Sequence, residues 1–295
     1  MKEKTIFALG FFDGVHLGHQ ALLKTCRDLA TEYDCAPGVV TFSQHPDTLV
    51  SGNTPKLINT ISDRQRLLTE MGAETIVTLP FDRRLMAMPW QSFIHLLLET
   101  YNAAGFVCGD DFCFGFKGEG DAQKLQYFCQ AKNLPFAVVP QQNMDNTRIS
   151  SSHIRCLLEN GEIEKANRFL GHPHILTGKV VSGRKLGRTI GIPTANIFVP
   201  DDLLLPKSGV YACRVHTDSG VYLAVTNVGN RPTVGGEHTT VESWLLDFSG
   251  DLYEKEITVE LHAFLRPERK FPNLAALQEE IHRNKEETIE FFGKN

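Results

Sequence analysis

Apolar residues fall in two different rhythms along this chain, and the change of rhythm divides it. Up to about residue 170, apolar runs of strand length at 5–9, 38–42, 74–79, 105–109 and 135–140 are separated by stretches of helical period. Leu22, Cys26 and Leu29 recur at i, i+4 and i+7, and Phe93, Leu96 and Leu97 can face one core together. Strands alternating with helices predict a parallel sheet with helices on both faces, and ligands beyond the strand C-termini. From about residue 175 the helical stretches stop. Runs at 175–181, 210–216, 221–227, 241–248 and 256–264, with turn residues between them, predict a small antiparallel barrel or sandwich. A helix closes the chain, with Asn273 as its cap and Leu274, Leu277, Ile281 and Ile289 as a loose apolar stripe.

A length of 295 residues allows two domains that each bury a core. The break falls at Gly171-His172-Pro173, where a glycine suited to ending a helix precedes a proline that cannot continue one. The expected domains are therefore 1–172 and 173–295, and no internal repeat relates them. A formal net charge of −5 argues against a protein that coats nucleic acid but allows local basic pockets. The seven cysteines are odd in number and contain no C-x-x-C pair, so reduced, mostly buried thiols in a cytoplasmic protein are expected. The first residues lack the apolar core of a signal peptide and no run reaches membrane-spanning length, so no membrane association is expected.

Chemistry enters after the first strand, where Phe12-Asp13-Gly14-Val15-His16-Leu17-Gly18-His19 leads into a helix. Strand, loop and helix in that order aim backbone N–H groups and the positive end of a helix dipole at a bound anion. Two histidines three positions apart can both donate to one phosphate, and Gly18 lets the backbone come close. Displacement at an α-phosphorus needs donors on its equatorial oxygens and an oriented leaving pyrophosphate. Asp13 is expected to fix the loop by accepting from backbone N–H groups. A second segment, Thr147-Arg148-Ile149-Ser150-Ser151-Ser152-His153-Ile154-Arg155, precedes a helix over 156–160 that Gly161 ends. Taken alone, its serines fit helix capping as well as phosphate binding. Beside the histidine motif, the hydroxyls, helix N–H groups and Arg155 read as a cradle for the β- and γ-phosphates.

The second half has its own phosphate signature, Gly183-Arg184-Lys185-Leu186-Gly187-Arg188-Thr189-Ile190-Gly191-Ile192-Pro193-Thr194-Ala195-Asn196. Glycines interleaved with cations suit a loop that wraps phosphates, although a solvated basic turn has the same composition. The Thr194 hydroxyl and Asn196 carbonyl are hard oxygen ligands suited to Mg²⁺ shared with a nucleotide. In a regular strand over 241–246, Glu242, Trp244 and Leu246 share a face. A strand Glu ordinarily faces solvent; held in a site, it can accept the proton of an attacking alcohol.

These residues resemble two known families. The motif around His16 and His19, with Gly10-Phe11, Thr41-Phe42-Ser43-Gln44-His45-Pro46, Gly109-Asp110-Asp111-Phe112 and Ile149–Arg155, is similar to the flavin branch of the H-x-G-H nucleotidyltransferases. The glycine-rich motif, with Asn227-Val228-Gly229-Asn230-Arg231-Pro232-Thr233, Val241-Glu242-Ser243-Trp244 and Leu265-Arg266-Pro267-Glu268-Arg269-Lys270-Phe271, resembles bacterial riboflavin kinase modules. Together they cover nearly the whole chain, in the order found in bifunctional riboflavin kinase/FMN adenylyltransferases. The resemblance implies a Rossmann-like α/β parallel-sheet nucleotidyltransferase domain, then a small antiparallel β-barrel domain with a C-terminal helix. It implies that riboflavin is phosphorylated by ATP to FMN, and FMN adenylylated by a second ATP to FAD and pyrophosphate, with Mg²⁺ serving both.

By residue, it implies His16, His19 and Glu242 in catalysis and Thr194 and Asn196 at the metal. Gly10, Phe12, Asp13, Gly18, Asp111, Ser151, Ser152 and Arg155 are implied at the nucleotide of the first half, and Gly183, Lys185, Gly187, Gly191 and Asn196 at that of the second. Riboflavin, FMN, FAD and ATP are the expected partners, without nucleic acid; a transient homo-oligomer or flavoprotein clients are compatible with it. Trp244 stands where the family usually has His, Glu254 where it has Gly, and Asn284 near a common Asp. The competing readings are a nucleotidyltransferase for another acceptor fused to a vestigial kinase, and a flavin sensor without turnover.

Overall fold

The computed structural model describes residues 4–50, 52, 54–182, 191–233 and 236–294, and of 230–233, 236–239 and 294 the backbone alone. The chain divides into two compact units, Met1–Ser151 and Ser152–Asn295.

The first unit is built on β1 (Thr5–Leu9), whose five residues are all buried, as a strand covered on both faces requires. It continues through α1 (Leu17–Glu32), β2 (Ala36–Phe42), α2 (Asp47–Val50), α3 (Ile61–Glu70), β3 (Thr75–Leu79), α4 (Arg83–Met86), α5 (Trp90–Tyr101) and β4 (Ala103–Gly109). The hairpin β5 (Cys113–Phe114) and β6 (Gly120–Asp121), then α6 (Ala122–Lys132), β7 (Phe136–Val139), and the hairpin β8 (Asn143–Met144) and β9 (Thr147–Arg148) follow. The sheet runs β3-β2-β1-β4-β7, all parallel. The chain moves outward from β1 on one side and then returns to its other side at β4. Beside β1 the order reverses, and there the C-terminal strand ends open a crevice. Helix α1 covers the sheet with Leu22, Leu23, Cys26 and Ala30, and the Cys26 thiol donates to the Ile6 carbonyl at 3.1 Å.

The second unit contains α7 (Ser151–Asn160, of which Ser151 belongs to the first unit), α8 (Ile163–Leu170) and six strands. These are β10 (His174–Val181), β11 (Ala195–Phe198), β12 (Gly209–Thr217), β13 (Gly220–Thr233), β14 (Gly236–Leu245) and β15 (Glu256–Pro267). They close into an antiparallel barrel in the order β10-β11-β14-β13-β12-β15. Alternation along β14 puts Val241, Ser243 and Leu245 inside, where Ser243 meets Thr226 of β13 in a buried hydroxyl pair of 2.9 Å. The chain ends in α9 (Leu274–Lys294), capped as expected by Asn273, whose Oδ1 accepts from the Ala276 N–H at 2.9 Å.

Several boundaries differ from the sequence reading. Helix α7 begins at Ser151, five residues before the expected 156, and the extent of α8, the helix before Gly171, was not read. Gly171 ends α8 in the left-handed conformation, φ 77°, as its position before Pro173 predicted. Strand β14 stops at Leu245 because Asp247 turns the chain at φ 56°. Leu246 is therefore buried and does not share the half-buried face of Glu242 and Trp244. Glu254, at a position where glycine is usual, adopts φ 63°, the conformation glycine favours.

Candidate active sites

The loop between β1 and α1 is strained and tightly anchored. Phe12 and Val15 have φ of 60° and 40°, an uncommon conformation for bulky or β-branched residues. Phe12 is fully buried and holds the turn from within. As expected, Asp13 fixes the loop through backbone N–H groups: both carboxylate oxygens accept from Ile58, at 3.0 and 3.1 Å, and Oδ1 also accepts from Asn59 at 3.3 Å. The Asp13 carbonyl in turn accepts from Ser151 Oγ at 2.9 Å.

His16 is the N-cap of α1, and its Nδ1 accepts the His19 N–H at 3.3 Å. With Nδ1 accepting, the proton of the neutral His16 ring sits on Nε2. The two imidazoles stack with centroids 3.6 Å apart and planes 14° from parallel. Gly18 makes room for this, since a Cβ there would lie 3.2 Å from the His16 ring. His19 is held well below the ordinary imidazole pKa, first by burial, then by His16 and Arg64, so it acts as a neutral ring.

These groups line a cleft of about 310 Å³ at the C-terminal ends of β1, β4 and β7. The cleft brings together Gly10, His16, Gly18, His19, Asp111 and Ser151 of the expected residues. Phe12 and Asp13 lie buried and do not line it, so they support the loop. Ser152 and Arg155 belong to the second unit.

Two arginines were not anticipated. Arg148 lines the cleft and pairs with Asp111. Arg64, fully buried on α3, donates to the carbonyls of Phe11 and Phe42, each at 3.1 Å, and to Thr41 Oγ1 at 3.3 Å. Its guanidinium also lies over the Phe11 ring at 4.2 Å and within 3.9 Å of Asp13. The signal was present: Arg64 precedes Leu67 and Leu68 at i+3 and i+4, which places it on the apolar face of its helix.

In the barrel, Asn196 of β11 is in register with Glu242 of β14, and Glu242 with Asn227 of β13. An amide, a carboxylate and a second amide thus form one row across three strands, with neighbouring Cβ atoms about 5 Å apart. Thr194 lines a cleft of about 270 Å³ together with Val180, Pro193, Ala195, Leu245 and the segment 248–253. Gly191 has φ 74°. Gly183, Lys185 and Gly187 lie outside the described residues. Trp244 packs against α9, edge-on to His282 at 5.9 Å, with Lys285 Nζ 5.8 Å from its ring.

With this geometry in place, residues 1–153 match the FAD synthetase family and residues 170–292 the riboflavin kinase family. The bifunctional riboflavin kinase/FMN adenylyltransferase of Listeria monocytogenes is 33% identical over 98% of this chain and 93% of its own length. That of Bacillus subtilis is 34% identical over 99% of this chain and 93% of its own. A crystal structure described as a macrolide-efflux protein from Streptococcus pneumoniae superposes with a TM-score of 0.88 at 29% identity, covering 98% of this chain and 94% of that one. Among the described residues, no helix is long and apolar enough to cross a membrane.

Proposed function

The chain belongs to the bifunctional riboflavin kinase/FMN adenylyltransferase family, phosphorylating riboflavin to FMN and adenylylating FMN to FAD, and on that premise we propose how its residues divide the two reactions. The functional boundary is placed at 172/173, with adenylyl transfer before it and phosphorylation after it. A fragment starting at 173 would then phosphorylate riboflavin, with less stability than one starting at 152. The longer fragment keeps Asn167, which bonds the Leu261 carbonyl and the His174 N–H, each at 2.8 Å.

In the first unit, an FMN phosphate oxygen attacks the α-phosphorus of ATP and pyrophosphate leaves. The observation that carries the assignment is the stacked His16–His19 pair at the N-terminus of α1, lining the cleft beside β1. His16 Nε2 and the neutral His19 ring donate to oxygens on which charge develops, where fixed donors in a partly dry site are most effective. The dipole of α1 and the Gly18 backbone add to that field. Arg155, Ser151 and Ser152 are assigned to the outgoing phosphates, and Asp111 with Gly10 to the nucleotide.

In the barrel, Glu242 accepts the proton of the riboflavin primary alcohol as it attacks the γ-phosphorus. Asn196 offers a neutral hard oxygen beside this carboxylate, and Thr194, two residues before it at the neighbouring cleft, offers another, a donor set that fits Mg²⁺, which keeps waters and shares nucleotide phosphates. When bound, the ion neutralises phosphate charge; Gly183, Lys185, Gly187 and Gly191 are assigned to the phosphates themselves. We place the protein in the cytoplasm, a reading supported by seven free cysteines, four of them buried. Release of FAD to flavoprotein clients, or a transient homo-oligomer, is the matching partner reading, and native mass spectrometry with an apo-flavoprotein tests it.

The deciding experiment is product analysis with riboflavin and ATP in the Glu242→Gln chain. The amide keeps the shape of the base and cannot take up the proton. FMN formation should stop while supplied FMN is still converted to FAD; normal kinase turnover would remove Glu242 from the base role.

A further inference from the structure

Next to the row Asn196–Glu242–Asn227 stands a second carboxylate. Glu268 follows directly on β15, and its Oε1 accepts from Asn227 Nδ2 at 3.2 Å, across 41 residues of sequence. The approach is close enough to dictate a neighbour: a Cβ at Gly229 would lie 2.1 Å from Glu268 Oε1 and 3.0 Å from Asn227 Nδ2. Gly229 lies within β13 and has no positive φ, so the backbone does not require glycine there. The space it leaves is taken by the Glu268 carboxylate.

Glu268 is exposed, and an exposed side chain holds one orientation only if its backbone is fixed. Its flanks are fixed. Arg266 Nε bonds Glu280 Oε1 at 2.9 Å, and Arg269 pairs with the other oxygen, Glu280 Oε2, at 2.5 Å. Glu280 is a buried carboxylate of α9, also paired with Arg283. The Phe271 ring lies 5.5 Å from the Arg266 guanidinium and 5.0 Å from that of Arg269. Helix α9 therefore clamps both sides of the turn that presents Glu268.

We infer that Glu268 is a positioning residue for riboflavin phosphorylation, orienting the Asn227 amide beside Glu242. A carboxylate only accepts, so Asn227 must turn its NH₂ toward Glu268. Without that partner the planar amide can flip and present either its oxygen or its nitrogen to the Glu242 side. The inference rests on Glu242 being the base of the kinase reaction.

Steady-state FMN formation in the full chain tests it, with FAD formation from supplied FMN and the melting temperature as controls for folding. Glu268→Ala and Asn227→Ala should each lower kcat for FMN formation about tenfold, the scale of one charge-assisted hydrogen bond, with KM for ATP unchanged. Their double variant should be no slower than the slower single variant, because both remove one interaction. Gly229→Ala, which wedges a methyl between the two side chains, should reproduce the loss. Glu268→Gln, whose amide oxygen still accepts, should recover most of the rate. Full kcat in Glu268→Ala, or losses that multiply in the double variant, overturns the inference. Failure of the base reading looks different: Glu242→Gln would then turn over normally, whatever the coupling between Asn227 and Glu268.

Discussion

The imidazole of His16 caps the helix on which its neighbour stands: its Nδ1 accepts the His19 N–H at 3.3 Å while the two rings stack 3.6 Å apart. One side chain therefore has both a structural and a chemical task, and the two can be separated. Asn caps a helix about as well as any residue but has no imidazole. His16→Asn should leave the melting temperature almost unchanged and lower FAD formation from FMN about 100- to 1000-fold, the usual loss for one transition-state donor. Riboflavin phosphorylation should continue. If both activities fell together in a folded chain, the assignment of two separate sites would be wrong.

Arg64 supports that loop from below. Replacing it with Met takes a buried donor from the Phe42 carbonyl and one of two from the Phe11 carbonyl, which Thr41 Oγ1 also reaches at 2.7 Å, and removes a cation from the surroundings of Asp13. Removing one member of a buried charged network typically costs about 3–5 kcal/mol. Calorimetry of Arg64→Met should show a destabilised first unit, and FAD formation should fall while FMN formation persists. An unchanged melting profile would mean that the carbonyls find other donors.

The barrel has its own acid sensitivity. His174 is fully buried, and neither ring nitrogen has a hydrogen-bond partner among the described residues. Burial, with a smaller push from His172, takes its pKa from 6.5 to about 3. The unfolded chain then binds a proton below pH 6.5 that the folded chain refuses down to about pH 3, so stability falls as pH drops through this window. The slope reaches at most about 1.4 kcal/mol per pH unit. His174→Leu, which does not titrate, should flatten the acid limb of a melting-temperature profile between pH 6 and 4, roughly the middle of that window; an identical limb would assign the sensitivity to other groups.

How much of this was legible in the sequence depended on where each interaction is made. Strand β1 was read to the residue because a strand covered on both faces is a continuous apolar run. The Asp13 anchor was also legible, since a carboxylate in a tight loop seeks backbone donors, although its partners Ile58 and Asn59 were not. Strand β11 was missed: it has four residues, contains the polar Asn196 and follows Pro193, and only its pairing with β10 and β14 makes it a strand. The extent of helix α8 was legible but unread, with Ile163, Ala166, Phe169 and Leu170 on one buried face. Glu268 and Asn227 meet only when the barrel closes, so neither carried a local signal. Arg64 lay in a charged run that resembles a solvated helix face until its spacing to Leu67 and Leu68 is noticed.

Trp244, the least expected residue of the kinase half, shares a strand face with Glu242 and packs against α9 through His282 and Lys285. If packing is its task, Trp244→His should lower the melting temperature of the second unit. Lost ring contacts of this kind are worth about 1–2 kcal/mol together. The pH profile of FMN formation should not move. If the indole instead keeps water from the Glu242 carboxylate, its removal lowers the proton affinity of the base, and the acidic limb shifts to lower pH. An introduced histidine titrates in the same range, so Trp244→Phe is measured beside it and adds no ionisable group. An unmoved limb in both variants, with reduced stability in the histidine variant, identifies Trp244 as the seat of α9; a limb displaced in both makes it part of the base's environment.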